Sequence, residues 1–451
     1  MQRLDLDSLC AILGDQVVAL PPEGGLPPAT GLASHTDHMR PGDAFVALAG
    51  AHGHGLDHAA RAEAAGAAFL ISDRAHPRAL LVRDAAVALA RLGRHAREQR
   101  RGPVVGVTGS VGKTTTKTLL GAATTARTSP GNINTPAALA CVLVDAWLVD
   151  PPERPLVIEL GIDRRGEMAT LLELVRPSHG VLTAIAEAHL EGLGDLSEVA
   201  REKSLLLHAA PAGRYVGEQA WSVLEPALRA SSLRVGLGDG LPGGRFDPAE
   251  RQLQARLRCP DGGEAQATLR LPGLGAPVAQ AALVALQVAL DLGVAPQLAA
   301  ERVAAARLEP RRLQAHALGP LTLLDDAYNA SPVSMRAALD VLAALPAPRT
   351  AVLGDMRELA GRSRSAHAEL GALVAAASLA GVWFVGPESR VAYEAAADLH
   401  ERHHHPDVEA LVRDMARLPR HGSLLVKGSR SIGLDRLVDA LVAEHAQAVA
   451  S

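Results

Sequence analysis

The chain has 451 residues, and its 45 Lys and Arg nearly balance 49 Asp and Glu, for a formal net charge of -4. That balance leaves no basic footprint for nucleic acid, and three scattered cysteines, Cys10, Cys141 and Cys259, suggest a reducing compartment rather than a disulfide framework. No apolar run approaches the ~20 residues of a membrane span, and Asp5, Asp7 and Asp15 stand where a signal peptide would be basic and then apolar, so a cytoplasmic protein is expected.

At about 150 residues per domain, the length predicts three domains. Aromatic residues are only 2% of the chain, so the cores must be built from Leu, Val and Ala. The first unit, 1–101, reads as α/β, with short buried strands at 43–48 and 68–71 and a helix over 85–99. Gly102-Pro103 closes it. The second, 102–309, alternates apolar strands at 104–108, 156–160 and 180–185 with helices, which favours a parallel sheet covered on its faces. A polar, Gly-rich stretch at 236–264 reads as loops and antiparallel excursions, and helices follow at 278–292 and 296–306. The third unit, 310–451, has strands at 321–324, 350–353, 382–385 and 424–426 with helices between. His403, His404 and His405 read as an exposed loop, and residues 444–451 are expected to fray.

The second unit opens on the most informative segment. The apolar strand at Val104 feeds Thr108-Gly109-Ser110-Val111-Gly112-Lys113-Thr114-Thr115, which a helix can follow. This is the layout of a phosphate-binding loop. Glycines let backbone N–H groups close around a polyphosphate, and the helix N-terminus adds partial positive charge. Lys113 would reach the β/γ oxygens, and the Thr114 hydroxyl would hold Mg²⁺. Gly is usual where Val107 stands, so the loop is a variant. The blander reading is a surface turn; the strand before it and the helix after it weigh against that.

Other groups are ambiguous by themselves. Glu159 ends an apolar run, at the strand end where parallel sheets place ligands, and Gly161 would let the chain turn away. A solvated strand end is the plain alternative. His189 is a lone histidine, as often structural as functional. Lys203 lies within Arg201-Glu202-Lys203-Ser204 on a helix over 197–209, and such a lysine usually belongs to a solvated face.

Taken together, the segments resemble the Mur ligase family, which forms amide bonds through an acyl phosphate. The resemblance rests on the loop, on Gly131-Asn132-Ile133-Asn134-Thr135, on Glu159-Leu160-Gly161, on Ala188-His189-Leu190-Glu191, on Lys203 and on Lys427-Gly428-Ser429-Arg430. Asp325-Asp326-Ala327-Tyr328-Asn329-Ala330-Ser331-Pro332 and Gly354-Asp355-Met356-Arg357-Glu358-Leu359 are most similar to the branch that adds D-alanyl-D-alanine to UDP-N-acetylmuramoyl-tripeptide. The resemblance implies an N-terminal UDP-substrate domain, a central P-loop ATPase domain and a C-terminal Rossmann-like domain that closes over ATP. It implies a nucleotide site at Thr108, Gly109, Ser110, Gly112, Lys113, Thr114, Thr115, Asn132, Arg312, Asp326 and Asn329. It further implies two Mg²⁺ ions held by Thr114, Glu159, His189 and a carbamylated Lys203. Catalysis would rest on Lys113, Glu159, His189, Lys203 and Arg312, in a monomer acting on small molecules.

The chain also departs from the family's pattern. His38 and Met39 replace a Ser-Arg pair that grips the UDP part, with Arg40 one place off. Leu274-Gly275 stands where His-Asn would contact adenine, and Arg311 replaces the Gly before Arg312. These changes leave open a ligase of the same mechanism recruited to another carboxylate and amine. A non-catalytic nucleotide-binding scaffold is the other alternative.

Overall fold

The computed structural model describes residues 3–21, 26–50, 53–131, 133–187 and 189–450. Its first sheet runs in the order Val17–Ala19, Ala79–Val82, Leu70–Ser72, Asp43–Ala47, Gly31–Ala33. All neighbours are parallel except the edge strand Val17–Ala19. Asp43–Ala47 is buried on both faces, as expected of an inner parallel strand. The helix Ala85–Glu98 begins at Asp84, whose carboxylate accepts the Val87 N–H at 2.9 Å and so satisfies one orphan donor of the first turn.

That helix packs against Pro136–Val149 of the next unit. The two units therefore share a core, in which Phe69 and Leu92 join Leu139, Ile158 and Leu171. Gly102-Pro103 marks a change of sheet, not a break in packing.

The central sheet is six-stranded and wholly parallel, ordered Leu233–Val235, Gly213–Gly217, His179–Leu182, Val104–Thr108, Leu156–Glu159, Arg127–Thr128. After Val104–Thr108 the chain first adds strands on one side, then on the other. The strand that carries the phosphate loop therefore sits at the topological switch point, where such sheets open a crevice at their C-terminal ends. The helix Gly275–Asp291 packs on the loop's own helix, Lys113–Thr124. The stretch read as loops and excursions contains two strands of an antiparallel meander, Gly243–Asp247 and Gln252–Arg258, which Glu264–Arg270 completes. Alternating Leu253, Ala255 and Leu257 bury its inner face.

The third sheet is ordered Gln314–Leu318, Leu321–Asp326, Gly422–Lys427, Arg349–Gly354, Gly381–Val385, Arg402–His405. It is parallel apart from the first pair. Two expectations need correction. The three histidines lie on the edge strand Arg402–His405, not in an exposed loop; His403 stacks on Trp383 at 5.0 Å between ring centroids. The final helix, Asp435–Ala450, also runs through most of the tail expected to fray.

Candidate active site

The phosphate loop is tied down by its neighbours. Gly109 has φ +151° and Gly112 φ +82°, and a Cβ on Gly109 would lie 2.0 Å from Thr183 Oγ1, so glycine is required there. Thr183 Oγ1 donates to the Val111 carbonyl at 2.6 Å, and Ser110 Oγ to that of Ala186 at 2.9 Å. Thr108 Oγ1 donates to the Leu160 carbonyl at 2.6 Å. Lys113 Nζ folds back onto the Gly109 carbonyl at 2.8 Å. Desolvation pushes its ammonium below the ordinary lysine range, with the Glu159 carboxylate opposing that shift. Thr115 follows in the first turn of the helix.

Thr114 and Lys117, three residues apart on that helix, converge on one carboxylate. Thr114 Oγ1 donates to Glu159 Oε2 at 2.8 Å, and Lys117 Nζ lies 3.5 Å from the same oxygen. Glu159 is buried at its strand end, its N–H donating to Ser129 Oγ at 3.2 Å, so the solvated alternative does not hold. Gly161 has a different reason from the one expected: a Cβ there would lie 2.1 Å from Asn134 Nδ2. Glycine makes room for that side chain rather than for a turn. Asn132 falls outside the described residues.

His189 adopts φ +56° before the turn Leu190–Leu193. Its Nδ1 lies 3.2 Å from Asp163 Oδ1 and 2.5 Å from Glu358 Oε2, and the Leu190 N–H donates to the Glu358 carbonyl at 3.0 Å. The third unit thus touches the central one at the expected metal ligand. Lys203 is not on a solvated face. It is 0% exposed on the helix Leu196–Ala209, and its Nζ has no hydrogen-bond partner among the described residues. Burial, reinforced by the Lys113 charge, pushes its ammonium down to about 7. No group of three or more His, Cys, Asp and Glu side chains among the described residues could hold a metal ion. A metal here would need the Thr114 hydroxyl and a modified Lys203 as well.

Opposite the loop, Arg312 lies over the Tyr328 ring at 4.0 Å, and Arg430 over the same ring at 5.4 Å. Arg312 sits between two residues of positive φ, Arg311 at +65° and Leu313 at +51°. Asp326 holds this turn: its Oδ1 accepts the Leu313 N–H at 3.1 Å, while Lys427 Nζ donates to its Oδ2 at 2.6 Å. Burial raises the Asp326 carboxyl and Lys427 counters it. Asn329 is exposed, its carbonyl receiving Lys427 Nζ at 2.9 Å. Thr114, Gly131, Glu309, Arg312, Tyr328 and Arg430 line a cavity of about 320 Å³ between the two units.

This arrangement brings a phosphate loop and two guanidinium groups around one cavity. Known proteins are similar to this chain over most of its length. The Mur ligase middle domain model matches residues 107–217, and that of the Mur ligase glutamate ligase domain matches 311–430. The chain is 31% identical over 434 residues to the UDP-N-acetylmuramoyl-tripeptide–D-alanyl-D-alanine ligase of Escherichia coli, covering 91% of this chain and 93% of that one. It belongs to the Mur ligase family. The enzyme of the same name from Mycobacterium bovis is 32% identical, with 90% of each chain covered. Among solved structures, MurF from Acinetobacter baumannii superposes with a TM-score of 0.83 at 27% identity, covering 98% of this chain and 99% of that one. MurF ligase from Thermotoga maritima in complex with ADP gives 0.75 at 26% identity, covering 92% and 98%.

Within this Mur ligase, Met39 and Arg40 of the segment that departs from the family's pattern are engaged within the chain, whereas His38 is not. Arg40 pairs with Asp145 of the helix Pro136–Val149 and lies 3.6 Å from Asp43. Met39 packs on the apolar cluster around Phe45, and His38 is exposed. Gly275 has φ +82°, and a Cβ there would lie 2.2 Å from Val341 Cγ2 of the third unit. Reading the sequence missed Lys117 and Glu358 as site residues. Lys117 stands at helical spacing from Thr114, which was a usable signal. Glu358 stood in a quoted motif, but nothing local pointed it at His189. Arg430 stood in the quoted segment Lys427-Gly428-Ser429-Arg430, and the folded third unit sets its guanidinium over the Tyr328 ring.

Proposed function

We propose that this Mur ligase uses ATP to join D-alanyl-D-alanine to UDP-N-acetylmuramoyl-tripeptide, through an acyl phosphate, in peptidoglycan precursor synthesis. The observation that carries this reading is the cavity that puts Thr114 of the phosphate loop opposite Arg312 and Arg430. A polyphosphate held there meets cations from both sides. The donor carboxylate attacks the γ-phosphorus; an O–P bond forms, the bond to the β-phosphate oxygen breaks, and ADP leaves. The neutral acceptor amine then attacks the acyl carbon, a C–N bond forms, the nitrogen gives up one proton, and inorganic phosphate leaves with the C–O electron pair. Lys113 and Arg312 stabilise charge that moves among the phosphate oxygens.

Thr114, Glu159, His189 and a carbamylated Lys203 would hold two Mg²⁺ ions, which neutralise the polyphosphate. The fit of Lys203 rests on its buried, unpartnered Nζ. A neutral amine there can add to CO₂, forming one C–N bond and losing one proton. Asp326 and Asn329 serve the nucleotide site, with Asp326 holding the turn that presents Arg312. The segments 1–101, 102–309 and 310–451 act as donor, ATP and closing domains of a cytoplasmic monomer. No helix among the described residues is long and apolar enough to cross a membrane.

One observation favours a second reading, a ligase of the same mechanism with another donor. Arg40 is committed to Asp43 and Asp145 and so is a poor substitute for an arginine that grips UDP. Phosphate release separates the two. The first reading expects it only with UDP-muramoyl tripeptide and D-alanyl-D-alanine together. Release with the dipeptide and a different carboxylate, and none with the UDP-tripeptide, would establish the second.

A further inference from the structure

The helix Gly275–Asp291 packs on one helix from each unit that lines the nucleotide cavity. One is Lys113–Thr124 of the central unit, which carries Thr114; the other is Pro332–Ala343 of the third unit. Val278, Leu283, Leu286 and Val288 bury Gly275–Asp291 in the central core, and a close-packed core transmits displacement rather than absorbing it. The helix is therefore a fixed support against which the third unit rests.

Gly275 makes part of that contact. Its φ is +82°, a conformation costly for any residue with a Cβ. A Cβ there would lie 2.2 Å from Val341 Cγ2 but 3.4 Å from Val341 Cβ. One methyl of Val341 thus fills the space where a side chain would stand. Leu274, one residue earlier, packs on the third unit's apolar cluster around Leu324, Met335 and Leu342, and Leu313, the neighbour of Arg312, packs on the same cluster.

The path from Val341 to the cavity is short. Ser331 caps the start of the Val341 helix, its Oγ accepting the Ser334 N–H at 3.4 Å. Three residues before Ser331, the Tyr328 N–H donates to the Arg311 carbonyl at 3.2 Å. The Tyr328 ring lies under Arg312 and Arg430. Where this helix rests therefore decides how far both guanidinium groups stand from Thr114 across the cavity.

We propose that Gly275 is a positioning residue of the ligase: its missing side chain seats Val341, and this seat sets the third unit at the distance from which Arg312 and Arg430 act on a phosphate held at Thr114. The role rests on the ligase reading above and adds what holds the cationic side of the site in place. Charge stabilisation of a transferring phosphoryl group depends on donors already in position, so a support that shifts them lowers turnover without touching the phosphate loop.

The test is a set of variants read by phosphate release with UDP-muramoyl tripeptide and D-alanyl-D-alanine. Gly275→Ala should lower kcat by ~10²-fold, the loss that a misplacement of about 1 Å brings. KM for the UDP-tripeptide should stay at its wild-type value, and ADP should still bind, because Lys113 and Thr114 keep their places. Val341→Ala removes the obstructing methyl and leaves its Cβ at the ordinary 3.4 Å separation. Gly275→Ala with Val341→Ala should therefore regain most of kcat, yet keep the lowered thermal midpoint that a left-handed φ imposes on alanine. That split separates placement from backbone strain. Added to Arg312→Ala, Gly275→Ala should cost much less than it does alone, because both act on the same contact. If Gly275→Ala alone does not fold, the double variant with Val341→Ala decides: a kcat near wild type supports the seat, and a kcat still ~10²-fold down overturns it. Near-normal kcat in a folded Gly275→Ala enzyme, or a loss that Val341→Ala does not relieve, would overturn the positioning role and leave the ligase reading standing. A wild type that releases no phosphate with the two substrates would overturn that reading, and this role with it.

Discussion

Lys117 Nζ lies 3.5 Å from Glu159 Oε2, and both side chains are almost completely buried. Burial pushes the Lys117 ammonium down, and Glu159 opposes that. The carboxylate also accepts the Thr114 hydroxyl, so one oxygen gathers a cation and a hydroxyl at the mouth of the phosphate loop. Removing one member of a buried pair strands the other, at about 3–5 kcal/mol, whereas removing both is far milder. Lys117→Met should therefore destabilise the ligand-free protein by about that amount, and Lys117→Met with Glu159→Gln should recover most of it. Denaturant titration of the two single variants and the double variant checks this. Additive losses would mean that the two groups do not stabilise one another.

Lys113 is a different case, because its hydrogen-bond partner among the described residues is the Gly109 carbonyl. Lys113→Ala should leave the fold and the thermal midpoint close to wild type. Ligation should fall by ~10²–10³-fold or more, the loss typical of removing one charge from a transferring phosphoryl group. Steady-state phosphate release measures the loss. Near-normal turnover by a folded Lys113→Ala protein would remove the ATP assignment.

How legible this was in the sequence depends on how far each signal reached along the chain. The phosphate loop could be read because its strand, glycines, lysine and helix are contiguous, and Val104–Thr108 and Lys113–Thr124 form as expected. The parallel sheet followed from alternating elements. The strand Val17–Ala19 and the small strand Gly31–Ala33 escaped notice because each has only three residues, too few to show a period. Lys203 shows the limit most clearly. Its neighbours Arg201 and Glu202 make the turn look solvated, yet packing against the central sheet buries it completely. Burial is set by partners distant in sequence, and those were not visible in a window of charged residues.

The folded pKa of Lys203 is about 7, against an ordinary value of 10.5. Between these values the unfolded chain holds a proton that the native chain lacks, so unfolding takes one up and stability rises with pH. Below about 7 both states are protonated and this contribution is flat. Without CO₂ and Mg²⁺, the ligand-free protein should thus gain stability from pH 7 towards pH 10 through this group, with Lys113 and Lys117 adding in the same direction. Lys203→Met should reduce that slope and raise stability at pH 7. Chemical denaturation across the range reads it directly. An unchanged slope in the variant would place the neutral amine elsewhere.

The same residue offers the sharpest test of the proposed chemistry. If Lys203 carries a carbamate, its oxygens supply negative charge near Lys113, and the group depends on dissolved CO₂. Lys203→Ala should then remove most activity. Acetate or formate should restore part of it, because a small carboxylate fits the vacated space and replaces the missing oxygens. Lys203→Arg should stay inactive with or without acetate, since a guanidinium remains cationic and adds volume at a position with 0% exposure. ADP binding by both variants shows whether the nucleotide site still forms, which separates lost chemistry from lost folding. If the lysine acted only as buried packing, neither acetate nor formate would help the alanine variant. An active Lys203→Arg enzyme with unchanged magnesium dependence would reject the carbamate and leave the roles of Lys113 and Glu159 standing.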